Sequence, residues 1–163
     1  MNNKDIYIDK SIPIEKQFKY LRDKFSFQAV RTFKFFKKKF GKEAEKMYEE
    51  LYEMYMEDTL RDYNIDPKNL PFEVVAALAA NEEDKSLGFA PEVVFKSDNE
   101  VHSKLSYCPY NEAANALKFD EPVCKFVCEL NSKYMTENTS YEMKLTKRIA
   151  NGDEFCLMKI SKK

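Results

Sequence analysis

The chain has 163 residues, of which 44% are hydrophobic and 34% charged, and its formal net charge is −1. This charge argues against a general nucleic-acid binder, which needs many Lys and Arg side chains on phosphates. No segment approaches the roughly 18 apolar residues of a membrane span, and the first residues lack a signal-peptide run. We therefore expect a cytoplasmic protein that binds neither nucleic acid nor membrane, with cysteines that are thiols or ligands rather than disulfides.

The first half of the chain has the apolar spacing of helices. One helix is predicted from Ile14 to Phe40, between Pro13 and Gly41, and a second from about Lys42 to Tyr63. Their apolar stripes are Phe18, Leu21, Phe25, Ala29, Phe33, Phe36 and Phe40, then Met47, Leu51, Met54, Tyr55 and Leu60. Because little more than Gly41 joins them, the helices should form an antiparallel pair or a sharply bent rod. The second stripe suits an interface in a homo-oligomer as well as the core.

A third helix is predicted from Pro71 through Glu83, with Val74, Val75 and Leu78 as its apolar face. The period then changes to that of strands and short helices. Two hairpins are predicted. The first has strands at Pro91–Phe95 and Val101–Tyr107. The second has strands at Tyr141–Ile149 and Glu154–Ile160, joined by a turn at Asn151-Gly152-Asp153. Two helices between them are predicted at about Pro109–Leu117 and Val123–Tyr134.

These elements predict an α+β fold, in which a helical N-terminal half packs on a small antiparallel sheet of two hairpins with inserted helices. At this length a chain can bury a core without disulfide or metal staples. We therefore expect a single domain over residues 1–163, helical at about 14–83 and α+β at about 88–161.

The chemistry should lie with the four cysteines, Cys108, Cys124, Cys128 and Cys156, because the chain has one His and no nucleotide-type glycine loop. Cys124 and Cys128 are four residues apart, which on one helix would place both sulfurs on the same face. Three interpretations remain open. In the first, the cysteines are buried and act as small hydrophobic side chains. In the second, they bind a zinc ion or an iron–sulfur centre. In the third, one of them is a thiolate nucleophile.

Cys108 is the candidate nucleophile, because it precedes Pro109 near a helix start, where amide dipoles can lower a thiol pKa. His102 lies six residues before it, roughly 20 Å along a strand, too far for a direct Cys–His dyad. Glu129, directly after Cys128, is the candidate catalytic carboxylate. Lys104 and Arg148 could bind an acidic ligand if they face a pocket. A small-molecule ligand or substrate is the expected partner.

The motifs Tyr107-Cys108-Pro109-Tyr110, Cys124-x-x-x-Cys128-Glu129 and Gly152-Asp153-Glu154-Phe155-Cys156-x-x-x-Ile160 together resemble the L-2-amino-thiazoline-4-carboxylic acid hydrolase-like family. The closing Gly-x-x-x-Cys strand is similar, more weakly, to the end of vinyl-reductase-type small-molecule-binding domains and their trafficking-complex relatives. The first resemblance implies hydrolysis of a thiazoline ring to an N-carbamoyl cysteine, with water or a thiolate attacking the C=N carbon before the ring sulfur leaves.

The sequence therefore favours a hydrolase of a small cyclic C–N substrate, with Cys108 and Glu129 as candidate catalytic residues. The alternative is a non-enzymatic small-molecule or metal-binding module. In that alternative, zinc or an iron–sulfur centre would be held by Cys108, Cys124, Cys128 and Cys156.

Overall fold

The structure is a computed structural model that describes residues 11–80, 85 and 88–163. Five α-helices lie in the described residues: α1 (Ile14–Phe40), α2 (Glu43–Asp62), α3 (Phe72–Leu78), α4 (Pro109–Ala116) and α5 (Cys128–Asn138). The strands are β1 (Pro91–Lys96), β2 (Glu100–Leu105), β3 (Tyr141–Lys147) and β4 (Cys156–Lys162), and short 3₁₀ helices lie at Pro67–Asn69, Val123–Phe126 and Ile149–Asn151. None of the described helices is both long enough and apolar enough to cross a membrane.

The four strands form one antiparallel sheet in the order β1-β2-β4-β3. β1 and β2 form one hairpin and β3 and β4 the other, and β2 pairs with β4 to join them. Helices α4 and α5 are inserted between the two hairpins. The predicted α+β class and the sheet of two hairpins are confirmed.

One core cluster lies between α3 and a face of the sheet. Its buried residues are Phe72, Val75, Ala76 and Ala79 with Val101, Tyr141, Met143 and Ile160. Val75 thus lies in the core as predicted, but Val74 and Leu78 are exposed. The helix also ends at Leu78, before the predicted end at Glu83, a residue that lies outside the described ones. The buried Ser103 hydroxyl donates to the Ala79 carbonyl over 2.5 Å. This bond ties the end of α3 to the sheet and satisfies a polar group that is shielded from water.

A second cluster holds the helices together. It consists of Val30 and Phe33, Tyr48, Ala113 and Ala114, and Val123 and Phe126. The Phe33 ring centroid lies 4.3 Å from that of Tyr48 and 4.8 Å from that of Phe126, and Tyr48 lies 5.6 Å from Phe126. These three rings join α1, α2 and the 3₁₀ helix at Val123–Phe126.

The predicted apolar stripes of α1 and α2 are only partly core. In α1 the fully buried positions are Ser26, Val30 and Phe33, and in α2 they are Ala44 and Tyr48. The other stripe residues at the open ends of the two helices are largely exposed, among them Phe18, Leu21, Phe25, Leu51, Met54 and Tyr55. The reason is that α4 packs along the middle of α1, between Phe25 and Lys34, and the 3₁₀ helix packs at Phe33 and Tyr48, so neither covers the whole length of α1 or α2.

The helix predicted at Val123–Tyr134 is wrong as a single element. A 3₁₀ helix ends at Phe126, Val127 breaks the path with φ −130° and ψ −79°, and α5 begins at Cys128. In a continuous α-helix, successive side chains turn by about 100°, so residues 123, 124 and 126 would spread around the axis. The break allows Val123, Cys124 and Phe126 all to be buried.

We predict that Phe126→Ala lowers the free energy of unfolding by about 3–5 kcal/mol, because it removes a ring from the centre of the aromatic cluster. Phe35→Ala is the matched control, since the Phe35 side chain is 59% exposed. Its effect should stay within about 0.5 kcal/mol. Urea unfolding followed by circular dichroism measures both values, and equal losses for the two variants would contradict this account of the core.

Candidate thiol site

The four cysteines lie around one junction of the fold. Cys156 opens β4 and pairs with Leu105 at the end of β2, and Cys108 follows three residues later at the start of α4. Cys124 lies in the 3₁₀ helix and Cys128 opens α5. The ionisation of Cys128 is influenced by each of the other three thiols, so the four cysteines share one electrostatic environment. We call these four residues the thiol cluster.

Within the cluster, Cys124 and Cys128 form a hydrogen-bonded pair. The Cys128 thiol donates a hydrogen bond to Cys124, and this is the main reason that the pKa of Cys124 falls to about 7. Burial raises this pKa, whereas the nearby Arg148 guanidinium lowers it. The same hydrogen bond, together with burial, raises the pKa of Cys128. One negative charge on the pair is therefore stabilised near neutral pH.

Arg148 is held beside this pair by two carboxylates. Its Nη1 atom lies 2.5 Å from Glu129 Oε1 in a partly buried ion pair. Its backbone N–H donates to the Asp153 carboxylate over 2.7 Å. Glu129 lies in the first turn of α5, one residue after Cys128. The break at Val127 and the turn before β4 thus bring a thiolate, a guanidinium and a carboxylate together.

Cys108 lies in the cluster, but its environment disfavours the thiolate. The backbone N–H groups of Asn111 and Tyr110 lower its pKa, as expected at a helix start, whereas burial acts against them. Burial is the larger effect, and the pKa of Cys108 rises to about 11. At neutral pH Cys108 is a neutral thiol, and Cys124 is the better source of a thiolate.

Three other positions considered in the sequence analysis contribute less to the chemistry. Cys156 accepts a hydrogen bond from the Ile149 N–H over 3.3 Å, and burial raises its pKa. His102 has its Nε2 atom 2.7 Å from Glu100 Oε1 and its ring against Phe95, so it does not form a dyad with Cys108. Lys104 lies over the Phe155 ring.

A charged cleft adjoins the site on the outer side of α5. It has a volume of about 390 Å³ and lies between α5 and the edge strand β3. Its lining residues are Glu129, Ser132, Lys133, Thr136, Glu137, Glu142, Met143, Lys144, Leu145 and Arg148. Of the two cations singled out from the sequence, Arg148 faces a cleft.

Side chains of α5 also protect this edge of the sheet. Ser132 donates to the Met143 carbonyl over 2.5 Å, and the Met143 N–H donates to the Thr136 hydroxyl over 3.2 Å. An unpaired strand edge would otherwise invite pairing with another chain. No local pattern marks Ser132 or Thr136, because their role depends on the tertiary position of α5.

The metal-ligand hypothesis gains no support from this geometry. Across residues 11–80, 85 and 88–163, no group of three or more His, Cys, Asp and Glu side chains is arranged to hold a metal ion. Four-cysteine zinc sites need sulfurs about 2.3 Å from one point. The cluster instead has a hydrogen-bonded pair with two flanking thiols, all of them free.

The fold and site together define an α+β protein with a thiol centre beside a charged cleft. The family model for L-2-amino-thiazoline-4-carboxylic acid hydrolase matches residues 22–160, which span most of α1 and everything from α2 to the last strand. The chain therefore belongs to this family. The resemblance seen in the cysteine motifs is confirmed.

The fold also occurs in a solved structure. The chain is similar to a trafficking protein particle complex subunit 3 from Naegleria fowleri, a structure described as covalently bound to palmitic acid. The TM-score is 0.53 with 14% identity, covering 89% of this chain and 96% of the other. At this identity the likeness concerns the fold alone. A comparison with curated proteins found no match.

We predict that a thiol of the native protein ionises near pH 7. The ultraviolet absorbance of the thiolate measures this transition. Cys124→Ser should abolish this transition, and Arg148→Met should move it to higher pH because the stabilising positive charge is gone. Cys156→Ser is the control and should leave it in place. If the transition persists in Cys124→Ser but disappears in Cys108→Ser, the assignment to Cys124 is wrong.

Proposed function

We propose that the chain is a hydrolase of a small cyclic C–N substrate and that the Cys124–Cys128 pair supplies the nucleophile. The observation that carries the proposal is the position of this thiol pair beside the Arg148–Glu129 ion pair, whose two residues line a cleft. Family membership supports the reaction class, because the name of the family describes hydrolysis of a thiazoline carboxylate. The candidate thiol moves from Cys108 to Cys124, and Glu129 keeps its proposed role.

The proposed chemistry uses the pair as nucleophile and acid. The Cys124 thiolate attacks the C=N carbon of the ring, and the bond from that carbon to the ring sulfur breaks. Cys128, whose pKa is raised, donates its proton to the leaving sulfur. Water then adds to the same carbon and releases Cys124 as a thiolate. One proton of the water goes to the ring nitrogen and the other, taken up by Glu129, returns to Cys128, so the net change is the addition of one water and the opening of the ring.

Arg148 and Glu129 have distinct proposed roles. A carboxylate on the substrate suits a guanidinium, which presents a planar array of donors to carboxylate oxygens. Arg148 lines the cleft and its charge acts on Cys124, so it can hold such a substrate at the wall of the cleft that adjoins the thiol pair. Glu129, partly exposed at the cleft, can accept a proton from the attacking water.

We predict that Cys124→Ser lowers the rate of thiazoline-carboxylate ring opening at least about 10²-fold, the effect expected when a reacting group is removed. Cys156→Ser, in the same cluster, should retain activity and show that a nearby thiol change is tolerated. Product formation is followed by mass spectrometry, with circular dichroism confirming that both variants are folded.

The same experiment separates catalysis from binding. Turnover that survives in Cys124→Ser and disappears in Cys108→Ser would return the nucleophile to Cys108. A stable adduct on Cys124 without turnover would identify a non-enzymatic small-molecule-binding module and contradict the proposed hydrolase.

A further inference from the structure

A continuous set of large apolar side chains is exposed on α1 and α2. These residues are Ile14, Phe18, Leu21 and Phe25 on α1 and Met47, Leu51, Met54 and Tyr55 on α2, and they are 37–65% exposed. We call them the apolar face. Soluble monomers rarely expose contiguous apolar patches beyond about 300–600 Å². A set of this kind therefore indicates a contact surface.

The two halves of this face lie on the same side of the helix pair. Phe36 of α1 packs on Tyr48 of α2 near the turn, with ring centroids 5.6 Å apart. Phe18 lies five helical turns before Phe36, and Tyr55 about two turns after Tyr48, at about 3.6 residues per turn. At about 100° per residue, the α1 members of the apolar face lie within about 60° of Phe36, and Leu51 and Tyr55 lie within about 60° of Tyr48. These residues continue the sides of α1 and α2 that meet near Gly41, and Met47 and Met54 lie at the edge of that side.

The extent of the apolar face matches what a stable dimer needs. Large side chains bury about 150–250 Å² each, so eight of them that are half exposed present on the order of 800 Å². A standard protein–protein interface buries about 800 Å² on each partner. The face is therefore large enough to be one side of a specific interface rather than a scatter of exposed residues.

The charges on the two helices make this surface complementary to itself. α1 contains nine Lys and Arg residues against two acidic residues, and α2 contains eight acidic residues against two basic ones. Within one chain, these charges form few ion pairs between α1 and α2. Among the described residues, the Lys37–Glu45 ion pair joins α1 to α2, next to their turn.

We propose that a second copy of this chain covers the apolar face, with α1 of each protomer packed against α2 of the other. A two-fold dimer uses the same patch on both partners, so a basic helix beside an acidic one supplies both halves of the contact. Apolar side chains then lie at the centre and opposite charges at the rim. A membrane fits this surface less well, because the acidic residues of α2 would be repelled by anionic lipid.

We predict that the full chain is a dimer by size-exclusion chromatography with light scattering in the micromolar range. Leu21→Glu should weaken dimerisation at least about 30-fold, since a charge would replace a central apolar contact. Tyr20→Glu is the matched control, because Tyr20 and Leu21 are neighbours that are both 65% exposed, and Tyr20 lies off the apolar face. It should remain a dimer.

A second variant and a second measurement complete the test. Leu51→Glu on α2 should also give monomers, and higher ionic strength should weaken the native dimer because the charges at the rim are screened. Circular dichroism checks that each variant is folded. A native monomer throughout the micromolar range, a dimer unaffected by both apolar-face variants, or a monomer that co-sediments with phosphatidylserine vesicles would overturn the proposal.

Discussion

Contact among Phe33, Tyr48 and Phe126 is the interaction on which the rest of this structure depends. Each ring comes from a different element, α1, α2 or the 3₁₀ helix before α5, and all three are buried. The ring of Phe126 fixes the segment that carries Cys124 two residues earlier. Aromatic packing thus sets the position of the thiol, because the buried side chains Val123 and Phe126 of the 3₁₀ helix pack in the core cluster that contains these rings.

The thiol cluster shows how competing electrostatic effects select one cysteine from several. Burial raises the pKa of Cys108 and Cys156, and the backbone donors at Cys108 do not offset it. At Cys124 a hydrogen bond from a second thiol and a nearby guanidinium outweigh burial. A helix N-terminus alone is therefore a weaker determinant here than a specific donor and a cation, because the burial of Cys108 outweighs its backbone donors.

The sequence predicted the α+β class, the two hairpins and, except at Val123, the helix starts to within one residue, because hydrophobic period and turn residues are local signals. It could not predict the break at Val127, since a run from Val123 to Tyr134 has ordinary helical spacing and only packing against Phe33 makes the break favourable. That break sets the position of Cys124 relative to Cys128, because the two residues lie on either side of it. The sequence analysis named Arg148 as a cation that could bind an acidic ligand. Its position beside the thiols depends on the turn before β4, and hydrophobic periodicity cannot predict such a long-range contact.

Helix α2 links the proposed interface to the proposed catalytic site. Tyr52 has its ring 6.5 Å from Tyr134 of α5 and lies near enough to Cys128 for their ionisations to interact. Its ring is also 6.0 Å from that of Tyr55, which belongs to the apolar face. Covering Tyr55 with a second copy would restrict α2 and, through Tyr52, the start of α5. Because the thiol pair depends on a hydrogen bond between two short segments, a dimer that holds α2 in place would also hold Cys128 against Cys124.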